Sequence, residues 1–438
     1  MGSRGRRLVE LGKDALILLL TCSALWLTVQ SPLITPLQGI FGEEPPQASA
    51  GYGQREDPQE GELPMAMAAN LPGGERGGAR YGALYDRAAC QALFQQVAGP
   101  LVEALSSAGT PQVITRGQWE EVLGGDVGVF LDFQGDVPIP VLMDWLSGGE
   151  SPLNAVVRRL MLAVWEEGLA LYYQDRSTGQ YYRCTSEVAD SAAFTNTLST
   201  LTSNGVFFAF ESELYDGLYP DTLLPGTVPA PQVYTVSNPA AGGQRELESI
   251  VQDLGFSVNA TSFYSTDEQV ARSGEDSVRM SDRGVLFYQA GEGEARYPLT
   301  GTGEEEILRE GVELCRRLAG AVLNGRCGDA RLYLISVSPL ERGGEIDFGY
   351  SLNGIPVHLD QGYAARFLVA EGRVEQFTLR LRSYSGGGGT GAVLPARQAA
   401  AALLAQGGTG AELALVYLET GGDTLSASWA GRDNGWEG

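Results

Sequence analysis

The chain has 438 residues, with 54 acidic side chains against 30 basic ones, a single histidine and a net charge of −24. That balance weighs against nucleic acid and anionic lipid headgroups as partners of its bulk, and one histidine leaves no His-rich zinc site or His-based triad to assemble except around His358 itself. The length suffices for two or three domains with cores of their own.

Ala15–Val29 is an unbroken apolar run of 15 residues, about 22 Å long as a helix. Continuing to Ile34 brings it close to the length that crosses a bilayer. Arg4, Arg6, Arg7 and Lys13 precede it, against Glu10 and Asp14. The bias predicts a cytoplasmic tail over 1–13, an uncleaved transmembrane anchor over 14–34, and a large remainder outside the cell membrane. A cleaved signal peptide is the alternative. No small-residue cleavage site follows the run directly, and Ala48-Ser49-Ala50 lies far downstream.

Residues 35–80 are rich in Pro, Gly, Glu and Gln and read as a flexible spacer. An α+β domain is expected over 81–238. Ala83–Leu105 has helical periodicity, Gln118–Val122 is a short helical piece, and Val127–Phe133 alternates as a strand. A Pro-marked helix follows over Ile139–Leu146. Leu153–Glu167 reads as a helix, or a helix running into a strand, and Gly168–Gln174 with Tyr181–Cys184 as a hairpin. Val206–Phe210 and Gln232–Val236 close this domain.

A middle helix-plus-meander domain is expected over 239–329, with helices at Gln244–Leu254 and Glu305–Leu323 around strands at Phe256–Val258, Ser277–Met280 and Val285–Tyr288. A C-terminal helix-plus-meander domain is expected over 330–438. Asn353-Gly354 between Glu345–Leu352 and Ile355–Leu359 is its strongest hairpin signal. Val374–Tyr384 alternates as a half-wet strand, Gly386–Gly389 reads as a loop, and Pro395–Leu404 as a helix before strands at Leu413–Leu418 and Leu425–Trp429. The fold class is thus α+β: one transmembrane helix, then two to three domains of helices on antiparallel meanders.

No nucleophile elbow, zinc-protease motif, P-loop or dinucleotide fingerprint is present. His358 sits alone on a predicted strand and reads as a surface or core residue. Glu166-Glu167 after Trp165 has a sugar-hydrolase flavour, but adjacent helical residues point apart and the pair reads as a solvated helix end. Tyr172, Tyr173, Tyr181 and Tyr182 form an aromatic hairpin that either lines a groove or packs across strands. Cys90, Cys184, Cys315 and Cys327 show no metal-like spacing; Cys315 with Cys327 as a bridge, or four buried thiols, both fit. No catalytic residue, metal ligand or cofactor site is assigned, and the chain does not read as an enzyme.

Several segments together resemble a known family. Gly128–Phe133 with Pro138-Ile139-Pro140 and Trp145-Leu146 is similar to the first-domain pattern of the YycH-like regulators of Gram-positive bacteria. Leu254-Gly255-Phe256, Tyr264 and Val278–Tyr288 are similar to their second domain. Phe348-Gly349-Tyr350, Asn353–Val357 and Phe377–Tyr384 resemble the meander shared by YycH and YycI. The resemblance implies a membrane-anchored, extracytoplasmic, non-catalytic accessory protein of a cell-wall-related two-component sensor histidine kinase. The implied partners are that kinase and a second single-pass accessory protein. The small residues Thr21, Cys22, Ser23 and Ala24 are the candidate helix–helix contact within the membrane. The rival reading is an extracytoplasmic module that binds cell-wall glycan or peptide, or inhibits a peptidase; a paired-acid wall hydrolase using Glu166 ranks below both.

Overall fold

The computed structural model describes residues 63–432 apart from 74–78, 189, 266–267 and 341–342. The expected tail and anchor, Thr21–Ala24 included, lie outside the described residues. So does the expected spacer up to residue 62. Its stretch at Ala66–Asn70 is not spacer but strand β1, buried along its whole length. Four of its five residues are Ala or Met, which fit between two neighbouring strands.

The first half continues with β2 (Arg80–Leu84), helix α1 (Arg87–Ser106), β3 (Gln112–Ile114), α2 (Arg116–Gly125), β4 (Gly128–Pro138) and α3 (Ile139–Ser147). Then come β5 (Val156–Trp165), β6 (Gly168–Asp175) and β7 (Tyr181–Thr185). These strands make an antiparallel sheet in the order β2-β1-β4-β5-β6-β7-β3. Helix α1 starts where the Asp86 carboxylate accepts the Ala89 N–H at 3.1 Å. It buries Leu93, Val97, Leu101 and Leu105, each worth about 1.5–3 kcal/mol relative to exposure. Thr115 and Gln118 cap α2 reciprocally. No helix forms over 153–167; the β-branched and apolar run Val-Val-Arg-Arg-Leu-Met-Leu-Ala-Val-Trp is a central strand with both faces covered. Glu166 and Glu167 form the tight turn between Trp165 and Gly168, with Glu166 at φ +52°. They are therefore a hairpin tip rather than a helix end.

After helix α4 (Ser191–Ser199) the chain crosses the outer face of this sheet through the short pair β8 (Phe207–Phe208) and β9 (Leu223–Leu224). Strand β10 (Gln232–Ser237), expected to close the first domain, pairs instead with C-terminal strands. The second half runs α5 (Gln244–Asp253), β11 (Ser262–Ser265), β12 (Gln269–Ser273), β13 (Asp276–Met280), β14 (Val285–Gln289) and α6 (Glu304–Leu323). It continues through β15 (Arg331–Leu340), β16 (Gly343–Leu352), β17 (Ile355–His358), β18 (Ala365–Ala370), β19 (Arg373–Arg380) and β20 (Ser383–Thr390). Helix α7 (Ala396–Ala405), β21 (Glu412–Leu418), β22 (Thr424–Leu425) and β23 (Ala427–Arg432) complete it.

Strands from both sides of the expected 329/330 boundary share one long sheet, ordered β11-β12-β13-β14-β19-β18-β16-β17-β21-β23 with β15 added on β16. A smaller sheet has the order β20-β10-β22. The glycines at 386–389 are strand rather than loop, paired with β10, and Gly386 lies against the end of the Gln232 side chain. One apolar core runs from Met67 on β1 through α1, α3 and α6 to Tyr417 on β21. The described residues accordingly make one unit. A second core under α2 gathers Trp119, Phe130, Tyr172 and Phe208. All four described cysteines are buried thiols.

Candidate functional site at the junction of the two sheets

Of the two readings of the aromatic hairpin, cross-strand packing is the one observed. Tyr172 and Tyr173 are each 2% exposed and enter different cores, and Tyr173 stacks on the half-buried Tyr182 at 5.5 Å. The side chains that do gather are charged, and they come from both sheets.

Arg158 and Arg159 are adjacent on β5, where regular alternation would send their side chains to opposite faces. A register shift between β5 and β6 at this point removes that constraint. Both guanidiniums are buried and meet the same two carboxylates, Asp132 of β4 and Glu412 of β21. Arg158 Nε lies 3.0 Å from Asp132 Oδ1 and its Nη1 2.8 Å from Glu412 Oε2. Arg159 Nε lies 3.1 Å from Asp132 Oδ2 and its Nη2 2.9 Å from Glu412 Oε1. The cluster extends to the buried Asp221, which accepts from Trp119 Nε1 at 3.0 Å and pairs with Arg116 at 2.6 Å. Arg116 also donates to the hydroxyls of Tyr181 and Tyr219.

Burial alone would push the Glu412 carboxyl up. The guanidiniums of Arg158, Arg159 and Arg432 outweigh it and hold the group well below the ordinary carboxylate range. Arg432, at the end of β23, is itself lowered, first by burial and then by Arg158.

The backbone here is irregular in three places at once. Besides the β5–β6 shift, β4 loses register with β5 between Asp132 and Val137, and β15 bulges between Leu334 and Ser336. Gln134 stands at φ +64°, and its N–H donates to Asp132 Oδ1 at 2.8 Å. Its side-chain oxygen receives Arg432 Nη1 and, at 3.3 Å, Arg158 Nη2. A Cβ on Gly135 would lie 1.9 Å from the Leu334 carbonyl oxygen, so the β4 and β15 backbones touch here and only glycine permits it.

Beside these bulges is a cavity of about 60 Å³. Arg158, Arg176, Arg432 and His358 line it, with Asp136 as the one carboxylate. Arg176 Nε pairs with Asp136 at 3.0 Å, and both side chains are partly exposed. His358, isolated in the sequence, thus ends β17 against an arginine-lined space. Asp132 lies within the Gly128–Phe133 motif, but no arginine or acid of this cluster is assigned a role by the sequence. The one signal was Arg158-Arg159 inside an otherwise apolar run, since adjacent charges in a covered strand require internal partners.

Among the described residues no helix is long and apolar enough to cross a membrane. No group of three or more His, Cys, Asp and Glu side chains among them is placed to hold a metal ion.

The antiparallel first sheet and the long second sheet, antiparallel except where β17 runs parallel to β21, are joined at a buried ionic cluster and define a mixed α+β architecture. No protein-family model matches the chain, and no curated protein does. Its fold is that of YycH from Bacillus subtilis: the crystal structure of that protein superposes with a TM-score of 0.57 at 12% sequence identity, covering 87% of this chain and 96% of that one. The resemblance read from the sequence motifs and the likeness in fold therefore point to the same protein.

Proposed function

We propose that this chain is a YycH-like accessory regulator of a two-component sensor histidine kinase. It acts by protein contact rather than by catalysis, from the outer face of the cell membrane and held there by residues 14–34. The observation that carries the reading is fold likeness over 87% of this chain and 96% of the other, rather than over one common domain. Regulation would be a shift between two kinase states through contacts that differ between them.

The test is in-cell crosslinking and affinity purification of the full-length protein from its native membrane. The expected result is recovery of a sensor kinase together with a second single-pass protein, lost when residues 1–34 are replaced by an unrelated anchor. Joint replacement of Cys22, Ser23 and Ala24 by Leu should weaken that recovery several-fold if the small residues permit close helix approach. Capture of wall glycan or a secreted peptidase without any kinase would replace this reading with that of a binding module.

A further inference from the structure

We propose that the cavity beside the β4 bulge is a binding site for a small oxyanion, a carboxylate or phosphate group. The site stands on its own geometry, whether or not the chain contacts a kinase.

In a chain with an excess of 24 negative charges, this space is lined by three guanidiniums and an imidazole, with Asp136 the one carboxylate among the lining residues and Asp132 and Glu412 pairing with Arg158 from outside the lining. Guanidinium is planar, stays charged, and presents paired donors that match two oxygens of a carboxylate or phosphate. The cavity's size selects further. About 60 Å³ accepts an oxyanion or a few waters, whereas pockets for whole sugars or drug-sized ligands run to roughly 300 Å³ and more.

Three register irregularities in β4, β5 and β15 meet at this point. Such bulges re-aim side chains, and they gather beside functional sites. Closing the ionic cluster alone does not call for the third of them, because β15 supplies no charge to it; its Tyr333, Ile335 and Ser336 instead form a wall of the cavity. Arg158 and Arg432 are fixed in the interior by Asp132, Glu412 and Gln134. Their positions are therefore set before any ligand arrives, which lowers the ordering cost of binding. Arg176 is the adaptable member. Its present partner, Asp136, is itself a carboxylate 3.0 Å from Nε at the solvent edge. An entering oxyanion would take the same donors.

The experiment is isothermal titration of the full-length protein in detergent with inorganic phosphate and, separately, with a dipeptide bearing a free C-terminal carboxylate. Chloride at matched ionic strength is the control. Saturable binding of either probe, weakened at least tenfold by Arg176→Gln and by Ser336→Phe, is the expected result. Phosphate alone would identify a free or esterified phosphate as the ligand, and the dipeptide alone a peptide end. Binding no tighter than chloride would overturn the proposal. So would binding that both variants leave unchanged, which would mean an adventitious ion only. Arg176 and Ser336 are only partly buried, and unfolding midpoints measured without ligand show that each variant is folded.

Discussion

Arg80 on β2 and the Arg158–Arg159 pair on β5 are all buried on the same sheet, yet they are held in different ways. Arg80 has a private set of partners. Its Nε donates to Asn70 Oδ1 at 2.7 Å, Nη1 meets Glu211 Oε2 at 2.6 Å, and Nη2 reaches Glu211 Oε1 and the Leu123 carbonyl at 2.9 and 3.1 Å. The Phe208 ring covers it at 4.6 Å. One charge faces one counter-charge, and both come from the first half of the chain. Arg158 and Arg159 instead share Asp132 and Glu412, and Glu412 lies 254 residues away from Arg158. The private pair fastens the first sheet to its own covering loop. The shared cluster fastens the C-terminal strands to that sheet, so each charge there depends on several others.

Removing a shared counter-charge should therefore do more damage than removing a private one. Glu412→Ala leaves two buried guanidiniums with Asp132 as their nearest anion, and the expected loss is about 3–5 kcal/mol of unfolding free energy. Urea denaturation measures it, and a loss below about 1 kcal/mol would show that the cluster relaxes and admits water. Glu211→Ala should cost less, about 2–3 kcal/mol, because Asn70 and the Leu123 carbonyl still accept from Arg80. If the two losses come out in the opposite order, sharing is not what makes the junction sensitive.

The same contrast explains what could be read in advance. Helices α1, α2 and α6, the Asn353-Gly354 hairpin and strands β13 and β14 are written in local signals: caps, turn residues and periodicity over a few positions. Strand β5 was misread because Arg158 and Arg159 break its apolar run, and the partners that make them tolerable lie far away in sequence. The glycines of strand β20 suit a loop equally well; their strand state comes from pairing with β10, about 150 residues earlier in the chain. The YycH-like motifs were legible as strand and turn patterns. The junction was not, since register shifts and pairings across more than 200 residues leave no periodic trace.

A pH series separates the two clusters further. The folded-state pKa of Glu412 is depressed, so its contribution is fully present above the ordinary glutamate value of about 4.3 and is lost as pH falls toward the folded value. Wild-type stability should therefore drop on acidification below about pH 4, and Glu412→Gln should flatten that part of the profile. An unchanged acid limb in the variant would assign the acid sensitivity to other carboxylates.

The smallest effect probes how the junction is positioned from a distance. Thr115 touches none of the shared carboxylates. Its hydroxyl accepts the Gln118 N–H at 3.2 Å, while Gln118 Oε1 accepts the Thr115 N–H at 2.8 Å, and this box starts the helix that carries Arg116 and Trp119 to Asp221. Thr115→Ala should cost about 1 kcal/mol, the usual worth of such a cap. If α2 only covers the sheet, this loss and that of Glu412→Ala should add, because the sites share no partner. If α2 orients Asp221 for Arg159, which lies 3.9 Å from it, the double variant should lose measurably less than the sum. A coupling of about 0.5 kcal/mol or more would then join Thr115 to a cluster it does not touch.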